Sequence, residues 1–254
     1  MAQLYMNGEY SSEKSACISP FDRGFLYGDG IFETIKADRG EIEFLAEHIE
    51  RLNRSARQLN ITVPETDWNR VITELLEMNS LDEKTARIKI ILTRGAEQGL
   101  RIQKCSEPLL LITAAEHIPK KPPERIGIFP ERRLDPVAGH KSLNYLYNLL
   151  ARDWALHNGL DEAVLTGPEG EILECAASNI FIQRGTTVIK PLNNGYFLEG
   201  IMGRHFIKTK KEQGCSVTEK TLLPRDISDS DTVFITNSII GVCPVKIVKD
   251  RTGI

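Results

Sequence analysis

Residues 118–125 read IPKKPPER, three prolines and four charges in eight residues. Proline lacks an amide donor and fixes φ, so this run can neither continue a helix nor lie in the middle of a sheet. It divides 254 residues into two parts, each long enough to bury a core of its own. The expected organisation is an N-terminal domain over 1–117, a linker over 118–125 and a C-terminal domain over 126–254.

Upstream of the linker, residues 3–7 and the alternating GIFETIKA of 30–37 read as strands, the second closed by Asp38-Arg39-Gly40. Between 45 and 59, Leu45, Ile49, Leu52, Ala56 and Leu59 recur at three- and four-residue steps. That spacing predicts a helix with those residues on its buried stripe and His48, Arg51 and Ser55 on a neighbouring one. A second helix is expected over 66–78. ARIKIILTRG and EPLLLITAAEH are rich in branched residues and read as two strands around a loop over 95–104. Downstream, strands are expected over 125–130, 162–166, 179–183, 187–190 and 232–236, and helices over 142–158 and 200–213. The fold class is α+β, in two domains.

Hydrophobic residues make up 41% of the chain, charged residues 26%, and the net charge is -3. These values argue against disorder and against a general attraction to nucleic acid. The longest apolar runs, such as 108–115, are too short to span a bilayer, and residues 1–10 lack the pattern of a leader. No membrane partner and a cytoplasmic location are expected. The five cysteines (Cys17, Cys105, Cys175, Cys215, Cys243) are scattered, without a CxxC pair, and read as free thiols. The histidines are too dispersed for a metal site, and the charges of 208–212 fit a solvated helix face.

Chemistry enters at HKSLNYLYNLLARDWALHN, residues 140–158, where Lys141 stands beside an expected helix start. A lysine whose amine loses its proton can attack an aldehyde and form a Schiff base. Glu174, in EILECAASNIFI, leads into a strand pattern. Facing a pyridine nitrogen, its carboxylate would keep that nitrogen protonated and deepen an electron sink. Taken singly, each residue is more often a solvated charge.

Six motifs in order change that. DRGFLYGDGIFETIK (22–36), EHIERLNRSA (47–56), KSLNYL (141–146), ECAASNIF (174–181), LEGIMGR (198–204) and TNSIIGVCPV (236–245) together resemble the class IV aminotransferases, the fold-type IV family of pyridoxal phosphate enzymes. The resemblance implies a D-amino-acid aminotransferase-like fold, with a small N-terminal α/β domain and a larger C-terminal pseudo-barrel domain. It implies pyridoxal 5'-phosphate as cofactor, a small-molecule amino substrate and a homodimer. Carried over residue by residue, it makes Lys141 the Schiff-base lysine and proton shuttle, and Glu174 the partner of the ring nitrogen. It assigns the phosphate to Arg51, to Gly200, Ile201 and Met202 at a helix start, and to Asn237 and Ser238 in a turn. Ser178 and Asn179 fall within the signature, and Tyr145 matches a residue that hydrogen-bonds the phenolic oxygen in many relatives. Phe32, Arg94 and Arg101 are the substrate-side candidates, the two arginines for carboxylates.

The chain also departs from the pattern. GIMGR puts Gly203 where an arginine is usual and Arg204 one step on, and Lys190-Pro191 replaces a usual Thr-Pro. Gln98 stands where lyases often carry an arginine, the RxH pair of D-amino-acid aminotransferases is missing, and the chain ends at Ile254, where relatives often continue into a helix. TNSIIGVCPV, ECAASNIF and GIM resemble the family's 4-amino-4-deoxychorismate lyases, which release pyruvate and 4-aminobenzoate for folate synthesis. KSLNYL resembles the branched-chain aminotransferases. The expectation is the lyase, with a branched-chain or D-amino-acid aminotransferase as the alternative and a non-catalytic binding protein of the same fold as a remote third.

Overall fold

A computed structural model describes residues 2–96, 99–103, 107–230 and 232–248. Gln98 and Cys105 lie outside the described residues. The chain divides into two compact units, Met1–Pro119 with Lys141–Asn144, and Lys120–His140 with Tyr145–Ile254. A single cut at the proline-rich run therefore misses one exchange: four residues of the later sequence belong to the first unit.

The first unit contains β1 (Gln3–Met6), β2 (Glu9–Ser12), α1 (Arg23–Tyr27), β3 (Gly30–Asp38), β4 (Glu41–Ile42), α2 (Leu45–Gln58), α3 (Trp68–Met78), β5 (Thr85–Thr93) and β6 (Leu109–Glu116). Its six strands run in the order β2-β1-β6-β5-β3-β4, every pair antiparallel. Ile35, Ile88, Ile90 and Ile112 from the sheet meet Leu52 of α2 and Ile72 and Leu75 of α3 in one core. Asp67 starts α3 by accepting the Arg70 amide.

Lys141 does not stand at a helix start. Phe32 N–H donates to Lys141 O at 2.8 Å, and Leu143 N–H to Gly30 O at 2.9 Å, so residues 141–143 lie extended along the beginning of β3. This backbone pairing delays the following helix to Leu146, four residues later than the periodicity suggests. Gly30 is required beside it, because a Cβ there would come within 2.7 Å of both Leu143 Cδ1 and Leu92 O.

The expectation for α2 also needs correction. His48, Arg51 and Ser55 are buried along with Leu52 and Ala56. They do not face solvent because β3 carries Glu33, which is 1% exposed. Arg51 grips that carboxylate through Nε (2.8 Å) and Nη2 (2.6 Å), and His48 Nδ1 lies 2.7 Å from it. Burial alone would raise the pKa of Glu33; the hydrogen bonds from Arg51 and His48 overcome this and hold it at about 2.

The second unit contains β7 (Arg125–Arg132), α4 (Leu146–His157), β8 (Glu162–Thr166), β9 (Ile172–Cys175), β10 (Asn179–Arg184), β11 (Thr187–Pro191), α5 (Ile201–Glu212), β12 (Ser216–Lys220), α6 (Pro224–Ser228), β13 (Thr232–Asn237) and β14 (Gly241–Ile247). Its strands form one eight-stranded sheet, β12-β11-β10-β13-β14-β7-β8-β9, curled as a half barrel. It is mixed: β11/β12, β14/β7 and β7/β8 are parallel. Ile126, Val164, Ile180, Ile182 and Ile235 form its main core. Every residue of β8 and β9 is buried, so these strands show no alternation, and β9 escapes a period-two reading. Among the described residues, no helix is long and apolar enough to cross a membrane.

Two outcomes test this packing. Gly95 has φ +87, and a Cβ there would stand 2.0 Å from Glu107 O; Gly95→Ala is expected to lose about 2 kcal/mol or more in chemical denaturation. Glu33→Gln strands a buried guanidinium and is expected to lose about 3 kcal/mol at pH 7. Because the folded pKa of Glu33 lies below its ordinary 4.5, the stabilisation is complete above that value and is lost as pH falls towards about 2. Unfolding curves of the parent and of Glu33→Gln should therefore converge over that window.

Candidate active site

In the second unit, Glu174 sits near the end of β9, opposite Leu165 of β8, and is 7% exposed. Its Oε1 accepts a hydrogen bond from Arg133 Nη1 at 2.7 Å, and its Oε2 faces Asn179 Nδ2 at 3.5 Å. Arg133 follows directly on β7, its amide donating to Thr166 O at 2.8 Å. Its Nη2 donates to Asn148 Oδ1 at 3.3 Å and lies 3.7 Å from Asp135, while the guanidinium stacks over the Tyr147 ring. Asn148 Nδ2 in turn donates to Ala176 O at 2.8 Å, which also receives the Tyr145 hydroxyl at 3.0 Å. Burial, then Glu174 and Glu162, push the Tyr145 phenol pKa up, so the hydroxyl keeps its proton.

The expected phosphate contacts of this unit gather around Asn179. Asn179 Nδ2 donates to Leu198 O at 2.7 Å, and a Cβ on Gly200 would fall 2.0 Å from Asn179 Oδ1. Only glycine fits there. Gly200 begins α5 without a side-chain cap, which leaves the helix start to the backbone amides of Ile201 and Met202. On the neighbouring strand Asn179 pairs with Thr236, whose buried Oγ1 has no hydrogen-bond partner among the described residues. Asn237 Oδ1 accepts the Ile239 and Ile240 amides at 2.9 Å each, forming the turn that carries Ser238. Its Nδ2 reaches Ala177 O (3.0 Å) and Ser178 Oγ (3.3 Å), and Ser178 Oγ donates to Glu162. The side chains of Ser178, Asn179 and Asn237 thus brace the loops. An uncapped helix start, a glycine cradle and an orphaned hydroxyl within one small region fit a phosphate well.

Two of the departures from the family pattern, Gly203-Arg204 and Lys190-Pro191, border one cavity of about 100 Å³, which Asn179, Phe197 and Gly200 also line. Gly203 is there for packing, since a Cβ would stand 3.0 Å from the Phe181 ring. Lys190 pairs with Glu199 and Glu219.

In the first unit, the Lys141 amine stands 4.6 Å from the centroid of the buried Phe32 ring, and the Lys89 amine 5.0 Å from it. Burial, with Arg87 second, lowers the pKa of Lys89. Arg51 is held by Glu33 as described, with two of its five N–H groups committed there.

Arg94 is a correction. It is 1% exposed, and all five of its N–H donors are used inside the fold. Nε and Nη2 grip Asp29 at 2.8 and 3.0 Å, Nη2 also reaches Leu59 O, and Nη1 serves Asn60 O and Gln103 O. Arg23 closes the knot through Asp29 and Gly99 O. Arg94 therefore anchors the loop and has no donor left for a substrate carboxylate, whereas Arg101, on the same loop, is exposed.

Arg133, Asn148 and Asp29 went unrecognised in the sequence. Arg133 is the second of two arginines after a strand, and nothing in the one-dimensional pattern separates it from the exposed Arg132. Among the described residues no group of three or more His, Cys, Asp or Glu could hold a metal ion. Cys17, Cys175, Cys215 and Cys243 are free thiols.

Comparison with known proteins agrees with this geometry. The model of the family described as Amino-transferase class IV matches residues 30–248. A putative branched-chain-amino-acid aminotransferase of Methanocaldococcus jannaschii is 36% identical, over 98% of this chain and 88% of that protein. The aminodeoxychorismate lyase of Bacillus subtilis is 29% identical over 97% and 87%. Among solved structures, the T.th. branched-chain amino acid aminotransferase complexed with N-(5'-phosphopyridoxyl)-L-glutamate superposes with a TM-score of 0.87 at 25% identity, covering 97% of this chain and 85% of that one. With an uncapped, glycine-lined helix start fit for a phosphate and a family match over most of its length, this chain belongs to the class IV aminotransferase family and is a pyridoxal phosphate-dependent enzyme of fold type IV.

Proposed function

We propose that the protein is a 4-amino-4-deoxychorismate lyase, releasing pyruvate and 4-aminobenzoate for folate synthesis. The observation that carries this reading is the turn after β13: Asn237 gathers the Ile239 and Ile240 amides, and the resulting TNSII loop is of the lyase type. Lys89 and Arg101 add support, as two cations of the first unit suited to a substrate with two carboxylates.

Pyridoxal phosphate supplies the electron sink for the carbon that bears the substrate amine. Lys141 would hold it covalently and would serve as the base for the proton on that carbon. The Phe32 ring beneath the Lys141 amine, 4.6 Å from its centroid, gives the side chain an apolar surface to rest on. Glu174, paired with Arg133, would hold the proton on the ring nitrogen. In the second unit the helix start at Ile201 and the turn at Ser238 would hold the phosphate, a role the family pattern gives to Arg51 as well. Tyr145 directs its hydroxyl to the phenolic oxygen.

A branched-chain aminotransferase is the second reading. Tyr145 in KSLNYL and the 36% identity to the Methanocaldococcus jannaschii protein favour it. In that reaction too Lys141 would serve as the proton carrier, and the substrate would be released as a keto acid after hydrolysis. For either reaction we infer a homodimer located in the cytoplasm, which light scattering and fractionation test.

Borohydride treatment of the yellow protein is expected to fix the cofactor to Lys141, read by peptide mass, and labelling elsewhere would defeat the assignment. Supplied with aminodeoxychorismate, the enzyme should yield pyruvate and 4-aminobenzoate in equal amounts; turnover of isoleucine with 2-oxoglutarate, and no 4-aminobenzoate, would transfer the assignment to the aminotransferase. Glu174→Ala should retain the attachment and lose at least about a hundredfold in kcat. The two loop arginines should separate cleanly. Arg101→Met is expected to raise KM about tenfold with unchanged stability, whereas Arg94→Met should lose about 3 to 5 kcal/mol of stability.

A further inference from the structure

We propose that Arg133 is a positioning residue that holds both ends of the cofactor ring, gripping Glu174 for the ring nitrogen and, through Asn148, releasing the Tyr145 hydroxyl for the phenolic oxygen. The inference rests on the pyridoxal phosphate reading of the site.

The way Arg133 divides its donors motivates it. A guanidinium that neutralises a buried carboxylate favours a two-pronged grip, as Arg94 has on Asp29 and Arg51 on Glu33. Arg133 does otherwise. It gives Nη1 to Glu174 Oε1 and Nη2 to Asn148 Oδ1, and its buried Nε has no hydrogen-bond partner among the described residues. An unmet buried donor costs about 1 to 3 kcal/mol, so this arrangement sacrifices stability for geometry.

The geometry has two consequences. Arg133 at Oε1 and Asn179 at Oε2 together orient the Glu174 carboxylate. The bond to Asn148 fixes the orientation of its amide: with Oδ1 facing Arg133, Nδ2 must face Ala176 O, where it lies at 2.8 Å. That carbonyl then holds two donors, Asn148 and the Tyr145 hydroxyl. When Tyr145 turns its single proton towards a bound oxyanion, Ala176 O stays satisfied by Asn148, and the switch carries little penalty. Without Arg133 the amide of Asn148 is free to flip, and Tyr145 becomes the donor on which the carbonyl depends.

The charged and titratable groups around this network come from several elements. Glu174 lies on β9 and Asp135 on the loop after β7, with Tyr147 beneath the guanidinium and Glu162 and Arg152 acting on Tyr145.

The test uses the full-length enzyme reconstituted with pyridoxal phosphate, with Arg133→Gln, Arg133→Lys and Asn148→Leu. Wild-type protein that takes up no cofactor defeats the functional assignment and, with it, this inference; the variants are informative once it does. Arg133→Gln is expected to weaken cofactor affinity about tenfold and to lower kcat by about ten- to a hundredfold, with substrate KM within about twofold of the parent. The visible dichroism of the bound cofactor should fall with it, a signal that a purely structural role would leave intact. Arg133→Lys keeps the charge but cannot serve two partners, and should recover affinity without recovering the dichroism. Asn148→Leu and Tyr145→Phe should be coupled: combined, their effects on the pH midpoint of the visible band should fall short of the sum of the single changes by about half a pH unit. Parental affinity, dichroism and kcat in a folded Arg133→Gln enzyme would overturn the proposal. Should that variant not fold, additive behaviour of Asn148→Leu and Tyr145→Phe would overturn it instead.

Discussion

A guanidinium removed from water must meet a carboxylate, and among the described residues three carboxylates receive buried arginines. Arg51 lies on Glu33, Arg94 and Arg23 on Asp29 and Arg133 on Glu174, each with at least one contact of 2.8 Å or shorter. Breaking such a pair leaves a charge in a low-dielectric interior, so each one ties together the elements that supply its partners. The first fastens α2 to β3, the second fastens the loop after β5 to the segment between α1 and β3, and the third fastens the end of β7 to β9. The backbone that carries the functional groups is held by these pairs as well as by its apolar cores.

The same constraint separates scaffold from chemistry. An arginine with every donor occupied can only be structural, as Arg94 is. An arginine that divides its donors between two side chains and leaves one unmet is arranged for something other than stability, as Arg133 is. Asn237, Ser178 and Asn179 follow the rule from the other side. Their side chains are consumed in bracing turns, and the groups these turns offer a phosphate are main-chain amides at the start of α5. A phosphate at this helix start would meet main-chain amides, and a Cβ on Gly200 would crowd Asn179 Oδ1.

Much of this architecture was legible in one dimension. Apolar spacing located α2, α3 and α5 within two residues of their ends, and the proline-rich run at 118–125 precedes β7 as expected. The spacing failed where burial has no period. β8 and β9 are buried throughout, and α2 hides its polar stripe as well as its apolar one because a carboxylate waits on β3. The helix expected from Ser142 begins at Leu146 because residues 141–143 find backbone partners on β3, a pairing between positions more than a hundred residues apart.

The family can be read from the order of residues alone. The motifs around Lys141 and Glu174 are recognisable because chemistry demands particular side chains in a particular order. The use to which each charged residue is put becomes visible only once the chain is folded. Arg94 and Arg101 look alike on the page, as do Arg132 and Arg133, and within each pair the fold buries one and exposes the other. Burial sets the free energy of a charge, and burial is a property of which distant segments meet, so the role of an arginine is written in its contacts and not in its neighbours along the chain.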